Sequence, residues 1–269
     1  MSKDIKLEQI EAYTSKYEND VFAKAMRHAL NKNSITTIAN VQEASSKTQC
    51  QFSIDIKTMS AVSQEASGRC WLFAGLNVLR EEVAKKCKIK EFELSQNYVA
   101  FYDKLEKINY TMESCIKLKD QPIEDRTLTW VLQTGVQDGG QWDMIVSLIK
   151  KYGVVPKTVM PETYQSSHTR DMNGIINKKI RQFNSKIRSL DDDGIAKLKD
   201  KTLEELYTFL CTCFGIPPKQ FDFEYVDEDG KYHIVKDLTP HQFYDEYVGI
   251  DLDDYVSITN APTKDKPFN

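Results

Sequence analysis

Gln64 and Cys70 carry the clearest chemistry in this sequence. Between them runs a loop of mostly small residues, Glu65-Ala66-Ser67-Gly68-Arg69. After Cys70, Leu72, Phe73, Leu76, Leu79 and Val83 recur at helical spacing. That spacing predicts a helix from Trp71 to about Cys87, with the thiol at its start. The first N–H groups of a helix lack intrahelical partners and carry partial positive charge, so they favour an anion there. A thiol in that position is biased toward thiolate, its nucleophilic form. Gln64 supplies a neutral NH2 on a loop that can fold back over the sulfur. With the backbone N–H of Cys70 it would give two donors to the oxyanion of a tetrahedral acyl intermediate. Gly68 is expected to let the loop turn tightly, and Trp71 to pack behind the helix and shield the site. The competing reading of Cys70 taken alone is a buried helix cysteine with a packing role only.

Other elements must position these residues. Ile10, Tyr13, Tyr17, Val21, Phe22, Met26 and Leu30 form one apolar stripe, predicting helix over 7–31, with Asn19-Asp20 as a cap for a second helix within it. Residues 32–50 read as loop. Phe52, Ile54 and Ile56 alternate with polar residues, which predicts a short strand. Residues 96–117 and 124–133 read as helix. Asp138-Gly139-Gly140 breaks the chain before another helix over 141–151, and 156–174 reads as irregular. Ile176, Ile180, Phe183, Ile187 and Leu190 form a further helical stripe, broken at 191–194. Leu203, Leu206, Phe209 and Leu210 form the next, ended by Gly215-Ile216-Pro217-Pro218. Phe221, Phe223 and Tyr225, a turn at 227–230, then Tyr232 and Ile234 predict a β-hairpin. A short helix over 239–248 and a strand over 255–258 complete the reading.

Composition bounds the function. The chain has 269 residues, with 36 Lys and Arg against 40 Asp and Glu. A net charge of −4 leaves no basic footprint, so nucleic acid is not an expected partner. No apolar run approaches membrane-spanning length, and the amino terminus lacks a signal-peptide core. A soluble cytoplasmic protein is expected. Cys50, Cys70, Cys87, Cys115, Cys211 and Cys213 are too sparse for a disulfide scaffold and should be reduced thiols. Cys211 and Cys213 read as core packing, since no companion ligand stands at zinc-site spacing. No metal or cofactor is expected.

The segment Gln64 to Trp71 resembles the nucleophile region of papain-like cysteine peptidases, Q-x-x-x-G-x-C-W. The finer resemblance is to the bleomycin hydrolase and aminopeptidase C family. It is carried by Ser67-Gly68-Arg69-Cys70-Trp71-Leu72-Phe73-Ala74-Gly75-Leu76-Asn77-Val78-Leu79-Arg80, Glu93-Leu94-Ser95-Gln96-Asn97-Tyr98 and Asp138-Gly139-Gly140-Gln141-Trp142. Asp251-Leu252-Asp253-Asp254-Tyr255-Val256-Ser257 and the last stretch, 260–267, extend it over essentially the whole chain. The resemblance implies an α+β, papain-like fold dominated by its helical left domain, with helical insertions and most of the β-barrel domain absent. It implies N-terminal helices and the start of the fold in 1–60 and a cysteine-bearing helical domain in 61–174. A helical insertion in 175–220 and a hairpin opening the β domain in 221–269 follow. It assigns Cys70 as nucleophile and Gln64 as oxyanion donor. Gly139 and Gly140 become the strip that pairs with an extended peptide, beside Trp71. Ser67 stands where many secreted relatives carry a disulfide cysteine, as suits a reducing compartment.

A cysteine peptidase also needs a His to move the thiol proton and a group to orient that His. In papain-type chains these lie roughly 130–150 residues after the Cys. The corresponding window here, about 200–220, contains neither His nor Asn, and the family's later positions fall beyond this chain. Its N-S-W segment is absent, since the tryptophans are Trp71, Trp130 and Trp142. His28, His168, His233 and His241 each read as ordinary structural residues, His168 lying in a loop that could approach the cleft. The expectation is therefore the amino-terminal part of a thiol aminopeptidase, without its catalytic His and Asn or its cleft-capping carboxyl terminus. The alternative is a truncated, non-catalytic homologue that binds peptides or partner subunits. A homo-oligomer, hexameric in the family, is an implication of the resemblance alone.

Overall fold

The computed structural model describes residues 4–47, 52–256, 261–265 and 267. The chain forms two compact units, Met1–Lys57 and Thr58–Asn269. Cys50, Ser257 and Ile258 lie outside the described residues.

The first unit is helical. The predicted 7–31 helix is split into α1 (Leu7–Glu18) and α2 (Val21–Leu30). Asp20 makes the break, because its carboxylate accepts the Ala23 N–H at 2.9 Å and caps α2. The predicted loop holds two short helices, α3 (Ile35–Ile38) and α4 (Gln42–Lys47), the first capped by Ser34. Ile10, Tyr13, Val21, Phe22 and Met26 are all exposed, so their stripe is not a core face. Phe52, Ile54 and Ile56 are exposed as well and form no strand. Period-two alternation makes a strand only where another strand takes up its N–H and C=O groups, and among the described residues none pairs with this segment.

The second unit is built on α5 (Cys70–Cys87) and α6 (Gln96–Lys117). Leu72, Leu76, Leu79 and Val83 turn the inner face of α5 into a core shared with Tyr98, Phe101, Ile108 and Met112 of α6. Each such side chain contributes about 1.5–3 kcal/mol by leaving water. Ser95 starts α6 by accepting the Tyr98 N–H, and its own hydroxyl donates to Met160 O. Further round the core lie α7 (Arg126–Thr134), α8 (Trp142–Tyr152) and α9 (Tyr164–Ser167). The last was read as irregular; Thr163 and Ser166 nucleate it by capping each other's backbone N–H.

The two later stripes become α10 (Arg170–Ile187) and α11 (Asp192–Phe214), both packed on α6. Ile176, Ile180, Phe183 and Ile187 are buried as the pattern requires, whereas Leu190, past the helix end, is exposed. Asp191 caps α11 through the Gly194 N–H. Cys213 is buried, with Cys211 packed beside the same core.

The hairpin pairs β1 (Phe221–Val226) with β2 (Tyr232–Leu238) antiparallel, with a register shift between Phe221 and Phe223. The predicted 239–248 helix begins as α12 (Pro240–Phe243) and widens into a π-helical turn, Tyr244–Val248. Tyr255 and Val256 are not in a strand; the Tyr255 ring packs on Trp142, 4.8 Å between centroids. The result is α+β with mostly helical content. Among the described residues, no helix is long and apolar enough to cross a membrane.

Candidate active site

Cys70 is the first residue of α5 and is exposed. The buried-cysteine reading therefore does not hold. Arg69 precedes the helix without a side-chain cap, while its carbonyl accepts the N–H groups of Leu72 and Phe73. The thiol thus sits at the open, positive end of an 18-residue helix. Ala74 and Val78 follow it on the same exposed face.

The loop ahead of Cys70 is held by its own side chains. Gln64 Nε2 donates to Ser67 O at 2.5 Å, and Ser67 Oγ donates back to Gln64 O at 2.7 Å. One of the two Gln64 amide hydrogens is thereby used within the loop, which leaves the other for a ligand. The left-handed backbone falls at Glu65, φ 51°, and not at Gly68. Gly68 is needed for close approach: a Cβ there would lie 3.0 Å from Asp138 Cβ.

Arg69 anchors the loop from beneath. Its guanidinium is 2% exposed, donates to both Glu162 oxygens at 3.1 and 2.8 Å, and donates to Ser67 Oγ at 2.9 Å. It also lies over the Phe73 ring, 5.2 Å from the centroid.

Gly139 and Gly140 run alongside. The Trp71 ring covers Gly140 so closely that a Cβ there would meet ring carbons at 2.4 Å. Nothing lies within 4 Å of the corresponding point at Gly139, which is exposed. An extended ligand would find room on that side of Gly139. Lys107 fixes the strip from behind, donating to Gly139 O at 2.7 Å, Gln137 O at 3.1 Å and Asp103 Oδ2 at 2.8 Å. Asp138 ties strip to loop: its Oδ2 accepts the Gly68 N–H at 2.9 Å and its main-chain oxygen accepts Trp71 Nε1–H at 2.7 Å. Burial alone would push the Asp138 carboxyl up. Lys104 and the hydrogen bonds from Asn173, Lys104 and Thr169 instead hold it well below the usual carboxylate range.

Asp103 behaves oppositely. Burial outweighs Lys107 and Lys104 and pushes its carboxyl up to about 6. The folded protein then keeps a proton that the unfolded chain has lost. Its contribution to stability is full below the ordinary value near 4 and is lost as pH rises through about 6. Asp103→Asn removes that loss. The stability of the variant relative to wild type should rise by roughly 1–3 kcal/mol between pH 4 and 7.5. Paired thermal melts check this, and a difference that stays constant across the range would refute it.

The histidines are placed as follows. His28 is exposed on α2 in the first unit. His233 Nε2 pairs with Asp227 Oδ2 at 2.7 Å, and its ring stacks on Tyr225. The hairpin turn sits at the far end of α5 from Cys70, where the Glu228 N–H donates to Lys88 O at 2.8 Å. At 1.5 Å per residue that separation is about 26 Å, so His233 is out of reach of the thiol. His241 Nε2 meets Lys150 O at 3.2 Å, near the end of α8. His168 does lie by the loop, bridging to Ala66 through its backbone, with Nδ1 at Tyr164 O and its ring stacked on Tyr164.

Residues 4–269 match the Peptidase C1-like family. The chain belongs to that family. Among its relatives, aminopeptidase C of Lactobacillus delbrueckii subsp. lactis is 41% identical over 274 residues. That match covers all of this chain and 61% of the relative. Aminopeptidase C of Listeria innocua is 41% identical over 271 residues, covering all of this chain and 62% of the relative. The crystal structure of PepW from Lactobacillus rhamnosis HN001 superposes with a TM-score of 0.94 at 44% identity. It too covers all of this chain and 61% of the other. The chain therefore spans about three-fifths of the length of the C1-like relatives it matches. Sequence reasoning singled out Cys70, Gln64, Trp71, Gly139 and Gly140, which the structure places at the start of α5, on the loop before it and on the strip beside Trp71. It missed Asp138 as a clamp, although the residue stands inside a motif already singled out, and it missed Arg69, Glu162 and Lys107.

Proposed function

We propose that this chain carries the nucleophile and the substrate strip of a cysteine aminopeptidase that cleaves peptide amide bonds. The observation that carries the reading is the exposed Cys70 thiol at the start of α5, beside a braced loop and the uncovered face of Gly139. The sulfur of Cys70 adds to the substrate carbonyl carbon. The Cys70 N–H and the remaining Gln64 N–H receive the oxyanion. The C–N bond then breaks and the amine departs with a proton, leaving a thioester on Cys70. Water cleaves the thioester, which frees the acid and restores the thiol. The group that protonates the amine is proposed to lie outside these 269 residues. The position of His233 at the far end of α5 from the cysteine supports this, as do the engagement of His168 Nδ1 with Tyr164 O and the greater length of the aminopeptidase C relatives. A reducing, cytoplasmic setting belongs to the same proposal and is supported by the free thiols of Cys70, Cys87, Cys115, Cys211 and Cys213.

The test is labelling of the intact protein with an aminoacyl chloromethyl ketone, followed by mass spectrometry of the peptides. One adduct on Cys70, suppressed by excess dipeptide, is expected. Labelling spread over several cysteines at the rate of free cysteine would reject the peptidase reading. Dipeptide binding without selective labelling would favour a non-catalytic peptide binder.

A further inference from the structure

Five donors converge on Asp138. Gly68 N–H (2.9 Å) and Thr169 Oγ1–H (2.5 Å) reach Oδ2, while Lys104 Nζ (2.6 Å) and Asn173 Nδ2 (2.9 Å) reach Oδ1. Trp71 Nε1–H reaches its carbonyl. Two of these donors flank the nucleophile, two residues before it and one after. The other three come from α6, α10 and the residue ahead of α10. Lys104 is 1% exposed, so the ion pair is buried on its side. Burying such a pair stabilises a fold no better, on average, than apolar residues of the same size. Its distinctive output here is geometric: a doubly shared, charge-assisted acceptor fixes directions as well as distances.

Resting on the peptidase reading above, we propose that Asp138 is a positioning residue which clips the segment Gly68–Trp71 to the strip Gly139–Gly140. The sulfur, the oxyanion donors and the substrate backbone then share one frame. Gly68 is the point where the clip closes, and its missing Cβ lets the two chains meet. Lys104, Thr169 and Asn173 stop the carboxylate from rotating away. Displacement of reacting groups by about 1 Å can cost on the order of a hundredfold in rate, so loosening the clip should appear in kcat.

The experiment compares wild type with Lys104→Met/Asp138→Asn in the intact protein. Removing both charges avoids stranding a buried ion, so the double variant should fold. The expected result is a melting temperature near wild type and kcat on an aminoacyl nitroanilide reduced about tenfold or more. Alkylation of Cys70 by iodoacetamide, which needs no aligned substrate, should stay within about threefold. The Gly68 amide should also exchange with solvent faster. A folded double variant with kcat within about threefold of wild type overturns the proposal. Should the double variant not fold, Thr169→Val decides. It keeps the ion pair and removes one donor, and a kcat loss of about threefold or more supports the clip while an unchanged kcat overturns it. A wild type that neither cleaves the nitroanilide nor labels selectively at Cys70 defeats the peptidase reading itself. The catalytic role of the clip falls with it, in a pattern distinct from active protein with an indifferent Asp138.

Discussion

On the proposed peptidase reading, Cys70→Ser should abolish hydrolysis of aminoacyl amides by the intact protein and leave its fold unchanged. The substitution replaces one atom of an exposed side chain at a helix start, where no packing depends on the sulfur. A serine hydroxyl gains little from a helix terminus alone, because it does not ionise near neutral pH as a thiol can. The loss in kcat should therefore be at least about a thousandfold, with substrate affinity retained through Gly139 and its neighbours. Steady-state kinetics on an aminoacyl nitroanilide, with dipeptide binding measured separately, checks both halves. Residual kcat within about tenfold of wild type would mean that the sulfur is not the nucleophile.

Local pattern and distant contact divide what was readable in this sequence. The helix after Cys70 was legible because Leu72, Leu76, Leu79 and Val83 keep one face over about three turns, and burial follows that face. The hairpin was legible because Phe221 and Phe223 alternate toward the core before a turn closed by Gly230, φ 78°. The Phe52–Ile56 segment had the same alternation and still made no strand, since alternation states only what a strand would do once paired. Likewise the stripe of α1 and α2 forecast helices correctly but not a buried face.

The site divides in the same way. Gln64, Gly68, Cys70 and Trp71 lie within eight residues and could be judged by spacing. Gly68 also shows how a correct residue can have a different reason, since its role is contact with Asp138 across 70 residues of chain. Lys107 joins the strip across 32 residues and Glu162 joins the loop across 93. No periodicity records such partnerships. Ser67 fastens the loop from within: its hydroxyl donates to Gln64 O and accepts from Arg69 Nε.

Arg69→Ala should be the most destabilising single change in the nucleophile segment. The side chain is almost wholly enclosed and makes a two-pronged bond to Glu162, which the Ser166 hydroxyl also approaches at 2.5 Å. Truncation leaves a cavity under the loop and strands a partly buried carboxylate, a loss of about 3–5 kcal/mol. For a chain of this size that corresponds to a fall in melting temperature of roughly 6–20 °C. Arg69→Lys keeps the charge but not the planar fork, so it should recover only part of the loss. Arg69→Met combined with Glu162→Leu should recover most of it, because neither partner is then left as a lone ion. That double variant separates stability from positioning. It restores the melting temperature while releasing Ser67 from the guanidinium, so the rate of Cys70 labelling by the aminoacyl ketone should remain reduced. Equal recovery of melting temperature and labelling rate would show that Arg69 only fills space beneath the loop, and that the loop's register is set from the Asp138 side alone.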